Sequence, residues 1–129
     1  MTVFECAECG RRLSRDVELL AQLPAHHADE VGPGEMPEAT IPRGRYAIDP
    51  EPFTHGQVPG LPGDIVLHPE DAVGLLEHPD ERRSEGCCGP EGLFGINRIC
   101  PCGAEVGTLL ADCWTACELH LHPTRVRAA

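Results

Sequence analysis

The sequence has no lysine: all ten basic side chains among its 129 residues are arginines. Most fall as scattered pairs, Arg11-Arg12, Arg43/Arg45, Arg82-Arg83 and Arg125/Arg127, and none builds a basic stripe. With 21 acidic residues the formal net charge is -11, a surface that repels phosphate backbones and argues against nucleic-acid binding. Aromatics are scarce, one Trp, one Tyr and three Phe, so few large side chains are available to fill an interior. No apolar run approaches the roughly eighteen residues of a membrane-spanning helix. The opening "MTVFECAECG" has neither a basic n-region nor an apolar stretch, so it does not read as a signal peptide. The chain is therefore expected in a reducing cytoplasm, where structural disulfides are rare. There is no P-loop and no dinucleotide fingerprint. The absence of lysine beside abundant Ala, Gly, Pro and Arg suits a GC-rich genome and carries no functional meaning.

What the chain does have is eight cysteines, with 14 glycines, 13 prolines and 41% hydrophobic residues. That hydrophobic content argues against wholesale disorder, but so loop-rich and aromatic-poor a chain needs cross-links to hold one structure. In a reducing compartment those are metal sites rather than disulfides. Two segments have the form of metal-binding knuckles, tight turns whose backbone N–H groups point at cysteine sulfur. "Cys6-Ala7-Glu8-Cys9-Gly10" carries the glycine that permits a positive φ after the second cysteine. "Cys100-Pro101-Cys102-Gly103" is a shortened version with one residue between the cysteines. Widely separated cysteine pairs of this kind meet in space, so Cys6, Cys9, Cys100 and Cys102 are expected around one tetrahedral zinc. Closing a loop this long is feasible because its entropic cost grows slowly with length. The competing readings are a thioredoxin-like redox pair and free thiols. "RRLSRD" after Gly10 makes a poor first helical turn, which weakens the redox pair.

Cys87, Cys88, Cys113, Cys117, His120 and His122 offer the ligands of a second metal site. Adjacent Cys87 and Cys88 can bind one ion together only if their turn directs both sulfurs inward, so one of them is the expected ligand. The bland alternative makes Cys113 and Cys117 small buried hydrophobes beside Trp114. His120 and His122 lie two apart and so share one strand face; surface exposure is their commoner explanation. His26 and His27 read as solvated loop residues, and His68 and His78, each before a proline, as turn residues.

Enzyme readings find less support. "His68-Pro69-Glu70" and "Pro101-Cys102-Gly103-Ala104-Glu105" approach the H-x-E and P-C-x-x-C halves of a zinc deaminase, but Glu105 stands where the last cysteine belongs. Prolines also break the helices those ligands would need. A cysteine nucleophile at Cys87 or Cys88 with His120 or His122 lacks any visible orienting carboxylate or oxyanion loop.

The expected fold is mostly β, a small α+β chain with a zinc-ribbon-like core and a long irregular insertion between its knuckles. One domain, 1–129, divides into a first knuckle and strand (1–24), a Pro/Gly-rich insertion (25–80), a second knuckle with the C-terminal cysteine cluster (81–122) and a frayed tail (123–129). Val17, Leu19, Ala21 and Leu23 alternate with Asp16, Glu18, Leu20 and Gln22, predicting a strand, although "DVELLAQL" also suits a helix. "RYAID" predicts a short strand, Ile65 to Leu67 another, and Ala72 to Leu76 a helical turn or strand. "NRICPCGAEVGT" predicts strand, tight turn, strand.

From Phe4 to Trp114 the chain resembles a family of small actinobacterial cysteine-rich, zinc-ribbon-like proteins. The residues that carry the likeness are "FECAECG", "AIDPEP", "GDIVLHPED" and "GCCG…GLFGINRICPCGAEVGT…DCW". In that family the second knuckle more often has two residues between its cysteines, and Cys117, His120 and His122 lie outside its recurrent motif. The resemblance implies a metal-organised fold and brings no activity with it. The expected function is that of a small cytoplasmic zinc-binding protein with a structural four-cysteine site, a module that docks a basic protein partner, antitoxin- or immunity-like in its simplest version. The alternative is metal handling or thiol chemistry at the C-terminal cysteine and histidine cluster.

Overall fold

The computed structural model describes residues 1–27, 31, 32, 35–50 and 63–129. Through them run the strands β1 (Phe4–Cys6), β2 (Glu18–Leu19), β3 (Arg45–Ile48), β4 (Ile65–Leu67), β5 (Leu76–Glu77), β6 (Arg98–Ile99), β7 (Glu105–Leu110), β8 (Glu118–Leu121) and β9 (Val126–Ala128). Helical structure is limited among the described residues to 3-10 turns at Pro69–Asp71 and Glu81–Ser84, so the fold is mostly β. A His-Pro pair stands at the start of each, Pro69 opening the first turn and Pro79 separated from the second by Asp80 alone. The Nδ1 of His68 accepts from the Glu70 N–H at 3.0 Å, and that of His78 accepts from the Asp80 N–H at 2.9 Å. His68 is thus the N-cap of the first turn, while His78 holds the backbone N–H of Asp80, the N-cap of the second; both take the turn role their proline context predicts.

Seven strands form one sheet in the order β2-β3-β4-β8-β7-β6-β5, antiparallel except for β2 beside β3. β4 and β8 hold its centre, and every residue of both is buried. Strand alternation divides their side chains between two faces. Ile65, Leu67, Leu119 and Leu121 join the main core with Phe4, Leu13, Val17, Val106 and Val126, while Val66 joins Ile41 and Ala47 on the other side. Cys6 and Cys100 are fully buried members of the main core, so the first residue of each knuckle also packs as a hydrophobe.

Several expectations need correction. The stretch 25–80 is not simply an insertion: β3, β4 and β5 come from it, and β4 is central to the sheet. The turn-rich segment at 51–62 lies outside the described residues. The strand expected from Val17 to Leu23 stops after Glu18–Leu19; Leu19 is exposed, and Leu20 and Leu23 pack on the smaller core instead. The tail is not frayed, because β9 pairs antiparallel with β1 in the register Phe4↔Ala128, Glu5↔Arg127, Cys6↔Val126. Val126 is buried and Arg127 Nε sits 3.3 Å from Glu5 Oε1, so the C-terminal strand completes the backbone pairing of β1.

The sheet's outer strands, β2 and β5, are two residues each. Edges this short offer little template for pairing with another chain. Where β6 meets β7 the register shifts between Arg98 and Ile99, and the buried side chain of Asn97 repairs the ladder. Its Nδ2 donates to the Leu109 carbonyl at 2.9 Å and its Oδ1 accepts from the Leu109 N–H at 2.7 Å. Asn97→Ala leaves both backbone groups without these partners and is expected to destabilise the protein by about 2–3 kcal/mol in urea unfolding. An unchanged midpoint would show that the amide is dispensable.

Candidate metal centre

The two knuckles close on each other. After β1 the chain turns so that the Cys6 N–H donates to the Arg11 carbonyl at 2.8 Å and the Gly10 N–H donates to the Cys6 carbonyl at 2.9 Å. The second knuckle repeats this one residue tighter. There the Cys100 N–H donates to Ala104 at 2.9 Å and the Gly103 N–H to Cys100 at 2.8 Å. Gly10 and Gly103 have φ of 75° and 97°, the left-handed conformation a side chain would resist. The missing residue of "CPCG" therefore shortens the turn without losing its closing bond or its glycine.

The sulfurs of Cys6, Cys9, Cys100 and Cys102 all lie within 4.8 Å of one another. Cys6 is 3.8 Å from Cys102 and Cys9 is 3.6 Å from Cys100. A tetrahedral ion with metal–sulfur bonds of about 2.3 Å places its ligands about 3.8 Å apart, so the group could hold a metal ion without large rearrangement. Backbone N–H groups are aimed at three of the sulfurs: Arg11 at Cys9, Cys102 at Cys100 and Ala104 at Cys102. Such donors stabilise thiolate over thiol.

Cys9, Cys100 and Cys102 differ in their response. The Arg11 N–H and the neighbouring thiols hold Cys9 down at about 7 against the cost of burial. Burial and the other three thiols push Cys100 up to about 12. At Cys102 the Ala104 N–H pulls down, but burial and the sulfurs of Cys9 and Cys6 outweigh it and the net is upward. One thiolate is accommodated readily, and crowded neighbours oppose further ionisation until a cation neutralises them. Cys6 and Cys100 face the core, whereas Cys9 and Cys102 are exposed in an open cleft of about 450 Å³ lined also by Glu8, Glu105 and Arg125.

A second group is smaller than the expected one. Among the described residues it comprises Cys87, Cys88 and Cys113, again with sulfurs within 4.8 Å of one another. Both adjacent cysteines contribute, their sulfurs 3.9 Å apart, where only one was expected. The buried carboxylate of Asp112 organises them. It accepts from the N–H of Cys87 at 3.0 Å, of Cys88 at 2.8 Å and of Cys113 at 2.7 Å. Those bonds hold Asp112 below the usual carboxylate range in spite of its burial. The Cys88 thiol, burial and Asp112 push Cys113 up to about 12, and Cys87 is raised first by its bond with Cys88. The thiols of Cys87 and Cys113 are therefore not activated nucleophiles.

Cys117, His120 and His122 are not part of this group, which corrects their expected role. Cys117 is half-buried where its carbonyl accepts from the Thr40 N–H at 3.0 Å, and burial raises its thiol. His120 is buried rather than exposed, because β8 lies at the centre of the sheet between β4 and β7. Its Nε2 is 2.6 Å from Glu118 Oε1 and its Nδ1 is 3.2 Å from Asp64 Oδ2. His122 shares the same face, with Nε2 3.1 Å from Thr108 Oγ1 and Nδ1 3.9 Å from Asp64 Oδ1. The two-residue spacing does put both rings on one side, but there they meet carboxylates, not sulfur. Asp112, Asp64 and Glu118 were missed as organisers; only the adjacency of Asp112 to Cys113 and the period-two position of Glu118 were legible.

Burial disfavours the charged form of His120, yet the hydrogen bonds and charges of Asp64 and Glu118 outweigh it and raise the imidazolium to about 9. Glu118, opposed by burial, is held below its ordinary value by His120. His122, facing the same Asp64, is lowered by burial. Because the folded pKa of His120 exceeds the unfolded value near 6.5, its stabilising contribution is full below about pH 6.5 and is lost as pH rises through about 9. Linkage makes that contribution on the order of 3 kcal/mol. The His120 ring signal in a proton NMR titration is expected to move with a midpoint near 9; a midpoint at or below 6.5 would contradict the carboxylate clamp.

No helix among the described residues is long and apolar enough to cross a membrane. No family model, curated protein or solved structure matches the chain.

Proposed function

We propose that Cys6, Cys9, Cys100 and Cys102 bind one structural zinc ion, and that the chain is a protein-interaction module of zinc-ribbon type acting in the cytoplasm. The observation that carries this is the closed set of four sulfurs from two knuckles, at separations a tetrahedral ion requires. Four thiolates suit zinc by softness and geometry, and they leave it no open position at which to activate water. The zinc would supply cross-linking and charge neutralisation, not Lewis-acid chemistry. Catalysis at this site is therefore disfavoured.

The net charge of -11 supports a basic protein as partner. Four thiolates on a divalent ion leave the site itself negative, and Glu8 and Glu105 stand in the cleft beside the exposed sulfurs of Cys9 and Cys102. Electrostatic complementarity of this kind speeds encounter and selects partners, as an antitoxin- or immunity-like protein does when it covers a basic target.

Native mass spectrometry of the reduced protein is expected to find zinc at the four-cysteine site, and Cys9→Ser and Cys102→Ser are expected to lose it. Their retention of zinc at full occupancy would contradict the ligand assignment. The partner reading is tested separately. Proteins retained from the source cytoplasm on the immobilised zinc-loaded chain should be basic, elute as salt rises through a few tenths molar, and be absent after chelation. Retention that is insensitive to salt and zinc would contradict it.

A further inference from the structure

The group at Cys87, Cys88 and Cys113 is built differently from the four-cysteine site. Two consecutive N–H groups, of Cys87 and Cys88, point at one carboxylate, so the backbone forms a small nest around Asp112. The same Asp112 oxygen that Cys88 uses also accepts from Cys113, which draws the third cysteine against the first two. This turn answers the difficulty of adjacent ligands: it directs both sulfurs to one side, 3.9 Å apart.

The flanking glycines are required by close approach. A Cβ on Gly86 would lie 1.7 Å from the Gly89 carbonyl oxygen and 2.7 Å from Asp112 Oδ2. One on Gly89 would lie 2.4 Å from the Ala111 carbonyl oxygen. The loop can wrap the carboxylate only with glycine at both ends.

The donor set ends at three sulfurs. Asp112 is buried with both oxygens engaged by N–H groups, so it holds the loop and offers the ion no ready ligand atom. Among the described residues no histidine or further carboxylate joins the group. Zinc prefers four ligands, whereas soft thiolates in a three-fold set favour a soft, low-coordinate ion. A planar three-coordinate ion with bonds of about 2.3 Å separates its sulfurs by about 4 Å, close to what the loop provides. Cys87 and Cys88 are exposed, so the ion has an open path to and from solvent or another thiol ligand.

We propose that Cys87, Cys88 and Cys113 form a second, open metal site that binds Cu(I) through three thiolates, with Asp112 as the residue that positions them. Cu(I) enters and leaves without changing oxidation state. Each thiol that becomes a ligand exchanges its proton for a copper–sulfur bond, and the proton goes to solvent. This proposal is independent of the structural zinc, because the two groups share no residue.

The test uses the full-length, zinc-loaded, reduced chain, titrated anaerobically with Cu(I) against a chromophoric Cu(I) chelator. One Cu(I) per chain is expected, with zinc retained and with three sulfur neighbours in the copper X-ray absorption spectrum. Asp112→Asn is expected to weaken binding by about 10–100-fold, and Cys88→Ser and Cys113→Ser by more. Cys117→Ser should bind as the parent does, and retained zinc with an unchanged unfolding midpoint shows that a cysteine variant has folded. Copper that displaces zinc mole for mole would overturn the proposal, as would equal binding by folded Cys88→Ser and Cys113→Ser variants. So would uptake of a second zinc ion as tight as that of Cu(I).

Discussion

Four sulfur atoms drawn together from positions as far as 96 residues apart are the constraint on which this fold depends. As thiols they make weak contacts, and as thiolates they repel. The raised pKa of Cys100 and the lowered one of Cys9 express that conflict within a single cluster. A divalent cation bound there would resolve it by replacing the repulsion with bonds. The binding free energy of a structural zinc, on the order of 10–16 kcal/mol, would match or exceed the roughly 5–15 that stabilise an ordinary domain.

The consequence reaches beyond the knuckles because Cys6 and Cys100 are also core residues. β1 ends at Cys6, β9 pairs with β1, and β6 leads into Cys100. An ion at this point would therefore hold the two-stranded β1–β9 layer against the seven-stranded sheet. The core there is aliphatic, with Phe4 and Tyr46 in edge contact at 5.0 Å as its aromatic pair. On the opposite face of β4 and β8 the sheet carries ionisable groups out of water: His120 bridges Asp64 and Glu118, and His122 stands 3.9 Å from the second, unbonded oxygen of Asp64. The Asp112 nest is a third arrangement, in which a carboxylate replaces what backbone pairing would otherwise do for the "GCCG" loop.

Legibility in the sequence followed the range of the interaction. The CxxCG and CxCG turns are local, and their glycines and cysteine spacing were enough to bring Cys6, Cys9, Cys100 and Cys102 together on paper. β3 and β4 were legible because "RYAI" and "IVL" are short apolar runs between turn residues. β9 was not, since nothing in "RVRAA" shows that β1 needs a partner on that side. His120 looked like a surface residue because alternation assigns a face without saying whether the face is wet. Its burial depends on neighbouring strands supplied by distant segments. Cys117 was grouped with Cys113 by proximity along the chain, but Asp112 pins Cys113 toward Cys87 and Cys88 while Cys117 already begins the approach to β8.

The most direct measurement is thermal unfolding of the reduced protein, followed by circular dichroism, before and after complete removal of the metal by a chelator. If the ion joining the knuckles organises the fold, the metal-free chain loses its cooperative transition and much of its β signal, and both return when zinc is restored. A metal-free chain that unfolds cooperatively at the same temperature would contradict that account and leave the packed sheet as sufficient by itself.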